Sequence, residues 1–341
     1  MGGGVTRALL PGWKPGSGHD AGVRIGGDLI GRRVALRFRI GERDGRPLYR
    51  DAVGELSADG DELVVSTRKG PVRAARTAVV AVRAVPPAVP RRAPLAAVTR
   101  LEELCADAWP AVVDRPLGGW RLRAAGGYTG RANSALAVGD PGMPVAAALD
   151  VLRGFAVEHA IPARVQAPIG SPWDAAVARE GWVLDSGHEA GAEVSVMVAD
   201  LAALPRRPGP VVEVPERPSA QWWGLGGDGE PSPAKRHVLD PGGSPRTAFL
   251  LARGADGEPV GRLRATAVAD HLHLSVLDVL PTERRKGLAT TLVGVAADWG
   301  GAAAARWAVL QVALHNTGAR ALYGRLGFVE HHRYRYLVPP S

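Results

Sequence analysis

Residues 34–40 alternate apolar and polar side chains, Val34-Ala35-Leu36-Arg37-Phe38-Arg39-Ile40, the period of a strand with one buried face. Asp51 to Leu56 leads into the turn pair Asp59-Gly60, Leu63-Val64-Val65 follows, and after a turn at Lys69-Gly70-Pro71 the stretch Thr77 to Val85 is again strand-like. The period then changes. Leu101 to Val112 is amphipathic at helical spacing, Trp120 to Arg123 and Ser134 to Val138 read as strands, and Val145 to His159 reads as a helix. Ala163 to Ala167 is a further strand, Ser171 to Glu180 a helix, and Gly181-Trp182 opens another strand. Farther on, Thr247 to Arg253, Pro259 to Val268 and His271 to Val279 are predicted strands, the first two joined by a turn at Gly254 to Glu258. An apolar helix runs to about Trp299, Ala308 to Leu314 is a strand, Thr317 to Leu326 a helix, and Gly327-Phe328 starts a closing strand. The order predicts an α/β (α+β) chain with mixed sheets behind a small all-β segment.

Composition sets the boundaries. Val85 to Pro94 carries four prolines in ten residues, a stiff linker, and Ala203 to Pro210 marks a second break. The expected organisation is a disordered tail over 1–20, a small β-barrel over 21–86, a linker over 87–96, one lobe over 97–203 and a C-terminal domain over 210–341. The barrel resembles the Src-homology-3-like fold. The net charge of +8 lies entirely in its neighbourhood: residues 1–96 hold 17 Lys+Arg against 9 Asp+Glu, whereas 97–341 hold 25 of each. Such a surplus first suggests nucleic acid, but the barrel offers only Phe38 and Tyr49 for base stacking. We therefore read it as the solvated basic face of an accessory domain.

The chain has 341 residues, 22% charged and 46% hydrophobic, the balance of a globular protein. Its one cysteine, Cys105, excludes an intramolecular disulfide and a cysteine-based zinc site. No apolar run approaches the roughly 18 residues of a membrane helix. Met1 to Pro15 lacks the apolar stretch of a signal peptide, so a cytoplasmic protein without membrane partners is expected.

The chemistry concentrates near the C-terminus. Arg284-Arg285-Lys286-Gly287-Leu288-Ala289 joins a predicted strand to a predicted helix. First-turn N–H groups have no intrahelical partner, the helix dipole favours an anion there, and Gly287 has no side chain to hold a phosphate away. A second motif, Asn316-x-x-Ala319-x-x-x-Tyr323-x-x-x-Gly327-Phe328, begins 29 residues after Gly287. Together with the lead-in Val279-x-Pro281, the two motifs resemble the GNAT superfamily of coenzyme-A-dependent N-acetyltransferases over about residues 240–337. The resemblance implies acetyl-CoA as cosubstrate and no metal. It places the pyrophosphate on Arg284, Arg285, Lys286, Gly287, Leu288, Ala289 and Thr290, and the pantetheine along the strand edge at Leu277 and Val279. Asn316 would bond the cofactor or a catalytic water, or simply cap its helix. Tyr323 would protonate the departing thiolate as general acid.

The same resemblance directs attention to the strand position eleven residues before the loop, often a carboxylate in the superfamily and here His273. An imidazole suits the removal of a proton from an amine, and His271 shares its face by period two. Zinc at these two histidines lacks a third ligand nearby. His331-His332 is expected to point to opposite strand faces and to be inert.

Residues 97–203 echo the acetyltransferase pattern without its marks of activity. Val177 stands where Tyr323 stands in the second copy, and no pyrophosphate loop precedes the long helix. This implies a degenerate lobe that shapes the acceptor site. Within Gly126-Gly127-Tyr128-Thr129-Gly130-Arg131-Ala132-Asn133-Ser134, Arg131 is placed to pair with an acceptor carboxylate, with Asn133 and Ser134 orienting it, unless the stretch is only a rigid turn. The three-part layout resembles a family of high-GC Gram-positive bacteria, some of whose members are labelled N-acetylglutamate synthases. The expected activity is acetyl transfer to the amine of a small molecule, glutamate included. A protein amine is the first alternative, and a non-catalytic CoA-sensing or nucleic-acid-docking module the second. Two lobes can stack within one chain, so the oligomeric state stays open.

Overall fold

The predicted alternation in residues 34–40 becomes β1 (Arg33–Arg43), which turns Val34, Leu36 and Phe38 into a core and leaves the residues between them toward solvent. The computed structural model describes residues 29–67, 70–85, 93–225, 227 and 230–340. The expected tail, part of the turn at Lys69 and most of the proline-rich linker lie outside the described residues. The chain divides into two units, Met1–Arg91 and Arg92–Ser341.

In the first unit, β2 (Arg46–Asp59), β3 (Glu62–Thr67), β4 (Gly70–Ala75) and β5 (Val79–Ala84) join β1 in an antiparallel sheet ordered β4-β3-β2-β1-β5. The hairpin falls at the expected turn, with Asp59 opposite Glu62 and Gly60 at φ +58°. Gly54 is required for packing: a Cβ there would stand 2.0 Å from the Ser66 carbonyl oxygen.

The second unit opens with α1 (Leu95–Asp107), followed by β6 (Val113–Leu117), β7 (Trp120–Ala124), β8 (Ser134–Ala137), α2 (Val145–Glu158), β9 (Val165–Pro168), α3 (Pro172–Arg179), β10 (Val183–Leu184) and β11 (Glu193–Asp200). Then come β12 (Val212–Glu213), α4 (Ala220–Gly224), α5 (Pro233–Leu239), β13 (Arg246–Arg253), β14 (Pro259–Val268), β15 (His271–Val279), α6 (Leu288–Ala302), β16 (Trp307–Ala313), α7 (Thr317–Arg325) and β17 (Val329–Val338). Helix α1 starts six residues earlier than expected and stops before Val112, because Pro94 fits a helix start and Pro110 cannot donate within a helix. Among the described residues no helix is long and apolar enough to cross a membrane.

Among the described residues, the twelve strands of this unit form one sheet. Its main path is β12-β13-β14-β15-β16-β11-β17-β9-β8-β7-β6, with β10 beside β17. The segments expected as two lobes therefore exchange strands. β11 leaves the middle segment and lies antiparallel between β16 and β17, pairing Val194 with Ala313 and with Tyr334. β17, the last strand of the chain, continues past β11 to pair with β9 and β10 of the middle segment. Helix α6 covers β13–β16 with Leu292, Val293, Ala296 and Ala297 fully buried, and α2 covers β7–β9 with Leu149, Leu152 and Phe155. Helix α1 lays Leu101 and Cys105 over the exchanged strands, against Val196, Val309 and Tyr334.

A buried polar chain fastens the exchange. Glu102 of α1 is 1% exposed and accepts hydrogen bonds from Gln166 Nε2 of β9 at 2.6 Å and His332 Nε2 of β17 at 2.7 Å. Arg123 of β7 donates to the other end of Gln166, at 2.8 Å. The expectation that His331 and His332 face opposite sides fails here. The register slips between Val196 and Met197, and this bulge brings the two Nδ1 atoms to 2.8 Å. His332 is thus a structural residue. Burial, and then the neighbouring His332, holds the His331 imidazole below its ordinary pKa.

Replacing Glu102 by leucine strands Gln166 and His332 in the interior. We expect Glu102→Leu to lower the unfolding free energy by about 3–5 kcal/mol, measured by denaturant titration. A loss well under 1 kcal/mol would show that the network does not hold the exchange together.

Candidate active site

Strands β15 and β16 run parallel and hydrogen-bonded only from His271 to His273, opposite Trp307 to Val309, and then part. Beyond that point β15 bulges: Arg264 faces Ser275 while Arg262 faces Asp278, so β15 carries one extra residue. That residue is accommodated by Val276, a β-branched side chain at φ +54°. Such a conformation is rare for valine and costs on the order of 1–3 kcal/mol. It re-aims the strand edge at Leu277 and Val279 into the gap left by β16.

The gap is a cleft of about 870 Å³, whose lining includes Leu277 and Val279, the loop from Arg284 to Thr290 without Lys286, and Asn316 and Tyr323 of the α7 segment. Gly287, at φ +92°, caps α6 with no side-chain hydrogen bond to the first turn, so the N–H groups there remain available. Arg285 is also left-handed, at φ +67°, which turns successive N–H groups of the loop the same way. Arg207, Arg284, Arg285 and Arg325 line the cleft as well. Its acidic groups are already paired, Asp278 with Arg262 at 2.7 Å and Glu283 with Lys286 at 2.9 Å. The cleft is therefore an anion site with a hydrophobic, edge-exposed strand leading out of it. A nucleotide bearing several phosphates and an extended amide arm fits that donor set. Lys286 is expected on the phosphates; in the structure its ammonium pairs with Glu283, at the cleft wall, and Lys286 itself is absent from the lining.

Tyr323 is half-buried and packs edge-on against Phe328, with ring centroids 5.8 Å apart. Burial, assisted by the Asp278 charge, pushes its phenol up to about 12, so it is protonated throughout the physiological range. Asn316 lines the cleft, but its Oδ1 accepts from the Ala319 N–H at 3.0 Å. The helix cap is real, and the amide NH2 and one acceptor site of Oδ1 are left for a ligand.

The acceptor-side expectations fare differently. His273 is 1% exposed, absent from the cleft lining and tilted against Trp109 at 6.3 Å between ring centroids. Burial, and then the charges of Arg131 and Arg264, holds the imidazole well below its usual pKa. The structure does not bring it together with Tyr323, and a ring sealed from the cleft is badly placed to take a proton from a substrate. His271 bonds Asp270, 2.9 Å away. Asn133 and Ser134 are corrected to structural residues. Asn133 Oδ1 accepts from the N–H groups of Ala125 (2.8 Å) and Gly127 (3.0 Å), and its Nδ2 donates to the carbonyls of Tyr128 and Thr129 at 2.8 Å each. That exhausts its hydrogen bonds. Ser134 is buried and accepts from Arg123 at 2.9 Å.

Arg131 is likewise absent from the cleft lining, but it is only half-buried. Its guanidinium lies 4.1 Å over the Trp109 ring and donates to Gln311 Oε1 of β16 at 3.0 Å. It has no carboxylate partner among the described residues. Trp109, just after α1, and Gln311 were not singled out from the sequence. Neither lies in a motif, and only the Trp109-Pro110 break at a helix end hints at a fixed aromatic. Arg207 was missed for the same reason, lying in a stretch read as linker. Among the described residues no group of three or more His, Cys, Asp or Glu side chains is placed to hold a metal ion.

Residues 95–337 match the family described as "Probable histone acetyltransferase Rv0428c C-terminal". An uncharacterized N-acetyltransferase of Bacillus subtilis, YobR, is 28% identical over 252 residues, covering 70% of this chain and 98% of the relative. The probable histone acetyltransferase Rv0428c of Mycobacterium tuberculosis is 40% identical over 108 residues, 31% of this chain and 34% of that protein. A GCN5-related N-acetyltransferase from Kribbella flavida shares the fold with a TM-score of 0.54 and 19% identity, over 71% of this chain and 95% of that one.

The position of His273 makes a kinetic prediction. Burial holds this imidazole well below its usual pKa, in its uncharged form, so His273→Gln should leave the acidic limb of the pH–rate profile where it is. Disappearance of that limb in the variant would restore His273 as the base.

Proposed function

Because the chain belongs to the GNAT-type acetyltransferase family represented by the C-terminal region of Rv0428c, we propose that it moves an acetyl group from acetyl-CoA directly to the primary amine of a small anionic acceptor, with glutamate the first candidate. The observation that carries the acetyl-CoA assignment is the junction of two features in one cleft, the uncapped α6 start at Gly287 and the re-aimed edge of β15 at Val276. When bound, the thioester supplies an activated acyl carbon. Arg284, Arg285 and the first-turn N–H groups of α6 hold the phosphates, and the β15 edge at Leu277 and Val279 pairs with the amide arm. An N–H of that edge polarises the acyl oxygen as charge develops on it. The amine nitrogen forms the new C–N bond, the C–S bond breaks, and Tyr323 gives its phenolic proton to the departing sulfur. The proton lost by the amine goes to water.

Arg131 supports the anionic acceptor. A half-buried guanidinium held on Trp109 and Gln311, with no carboxylate of its own among the described residues, is prepared for a bidentate pair with one. The second reading, a protein amine, draws on the Mycobacterium tuberculosis relative, which is named a probable histone acetyltransferase. For the N-terminal unit, the order β4-β3-β2-β1-β5 is compatible with the meander of a Src-homology-3-like barrel, and we assign it an accessory role.

The decisive measurement is free thiol release from acetyl-CoA with free amino acids, glutamate first, and with lysine-rich histone peptides. Release with an anionic amino acid supports the reading; release with peptides alone overturns the acceptor assignment. Tyr323→Phe is expected to lower kcat roughly 100-fold while leaving acetyl-CoA binding near normal. With the phenol near pKa 12 instead of 10, the alkaline loss of wild-type turnover due to Tyr323 should not begin at pH 10. Arg131→Ala should raise the acceptor KM about tenfold or more with the acetyl-CoA KM unchanged. An unaltered acceptor KM removes Arg131 from the site.

A further inference from the structure

The segment between β11 and β12 does not behave as a linker. From Leu204 to Pro210 it lies on one stripe of α6, and each contact is specific. Leu204 is buried in the core beneath the helix. Arg206 pairs with Asp298 at 2.9 Å and donates to the carbonyls of Leu201 at 3.0 Å and Leu204 at 2.5 Å. The Pro205 carbonyl comes within 2.9 Å of where a Gly294 Cβ would stand. A Cβ on Gly209 would stand 2.5 Å from Thr291 Oγ1, and one on Gly287 would stand 2.6 Å from Arg207 Nη1. Positions 287, 291, 294 and 298 follow the three- and four-residue spacing of a single helix face. The strap is thus pinned along α6 to the uncapped N-terminus, and it delivers the Arg207 guanidinium there.

That placement is electrostatically incomplete. The positive end of a helix repels a cation, and Arg284 and Arg285 line the same cleft. Among the described residues Arg207 makes no hydrogen bond or ion pair that offsets this. An anion between the guanidinium and the N–H groups of the first turn turns each repulsion into an attraction. Resting on the acetyl-CoA reading above, we propose that Arg207 is a cofactor-binding residue that holds the pyrophosphate of coenzyme A beside Gly287, together with the Arg284–Gly287 loop. The cradle then draws on two parts of the chain. One is the motif of the C-terminal segment, the other the stretch that leaves the exchanged strand β11.

The test is titration calorimetry of the full chain with coenzyme A, and with dephospho-CoA, which keeps the pyrophosphate and lacks the 3′-phosphate. Arg207→Gln is expected to weaken binding of both roughly tenfold and to reduce the thermal shift that coenzyme A produces, with the Tm of the free protein unchanged because the side chain is exposed. Gly294→Ala adds a methyl group against the Pro205 carbonyl while improving helix propensity. It should weaken binding, with a lower Tm to the extent that the strap backbone must shift, and combined with Arg207→Gln it should add little further loss of binding. Wild-type affinity in Arg207→Gln overturns the proposal. A penalty with coenzyme A that vanishes with dephospho-CoA overturns the pyrophosphate assignment, and additive losses in the double variant overturn positioning by the strap. Failure of the wild-type protein to bind coenzyme A at all defeats the underlying cofactor reading instead.

Discussion

Both edges of β11 are hydrogen-bonded to strands of the C-terminal segment, β16 on one side and β17 on the other. Much of the second unit follows from that constraint. With β11 taken away by its neighbour, the middle segment completes its sheet with β17, the last strand of the chain. Helix α1 must then lie over strands from both segments, which sets its C-terminal end, and with it Trp109, beside β15. The chain leaving β11 is carried onto α6, where it reaches the anion cradle. Neither segment can be withdrawn without opening a sheet edge in the other.

Buried cations take part in the same junction without carboxylate partners of their own. Arg264, fully buried on β14, donates to the carbonyls of Leu239 at 2.7 Å and Ala108 at 3.0 Å, the residues that end α5 and α1. Those carbonyls are the unsatisfied, negative ends of helices, so the guanidinium answers both hydrogen-bonding and dipole demands. The cost of desolvation shows in its pKa, lowered to about 9, and Arg123 is likewise lowered to about 10. Both arginines are still charged at neutral pH, and both link elements distant in sequence. Removing a guanidinium from either place would leave several buried acceptors unpaired, the expensive outcome for a polar interior.

The distribution of charge separates into two kinds of positive potential. The surplus of +8 belongs to the first 96 residues, and the strands of the N-terminal sheet carry only part of it. The cleft in the second unit owes nothing to net charge, since residues 97–341 are neutral in sum. Its field arises from four arginines lining one cleft while the nearby acids, Asp278 and Glu283, are held by other cations. Tyr323 shares that cleft, so the group proposed to donate a proton faces the same space as the loop proposed to bind phosphate.

What the sequence by itself determined is what depends on short-range spacing. The alternation in residues 34–40 specifies β1, the Asp59-Gly60 pair specifies a hairpin, and Gly287 followed by an apolar helix specifies an anion cradle. The interval to Asn316 and Tyr323 places a second helix across the same cleft. Each of these follows from backbone geometry within a few residues. The tertiary structure decided everything that turns on which polar group finds which partner. Asn133 and Ser134 have the chemistry of ligand-orienting residues, yet the turn and Arg123 consume their hydrogen bonds. His273 sits on the expected strand, but Trp109, arriving from a distant helix end, seals it off. Lys286 stands in the loop before α6, and Glu283 pairs with its charge. Arg207 carries no pattern at all in a proline-rich stretch, and becomes part of the cradle only because β11 is exchanged and the strap behind it must follow α6. A side chain's type fixes what it can bond. Its availability is fixed by long-range packing, because a buried donor or acceptor takes whatever partner the fold brings within about 3 Å.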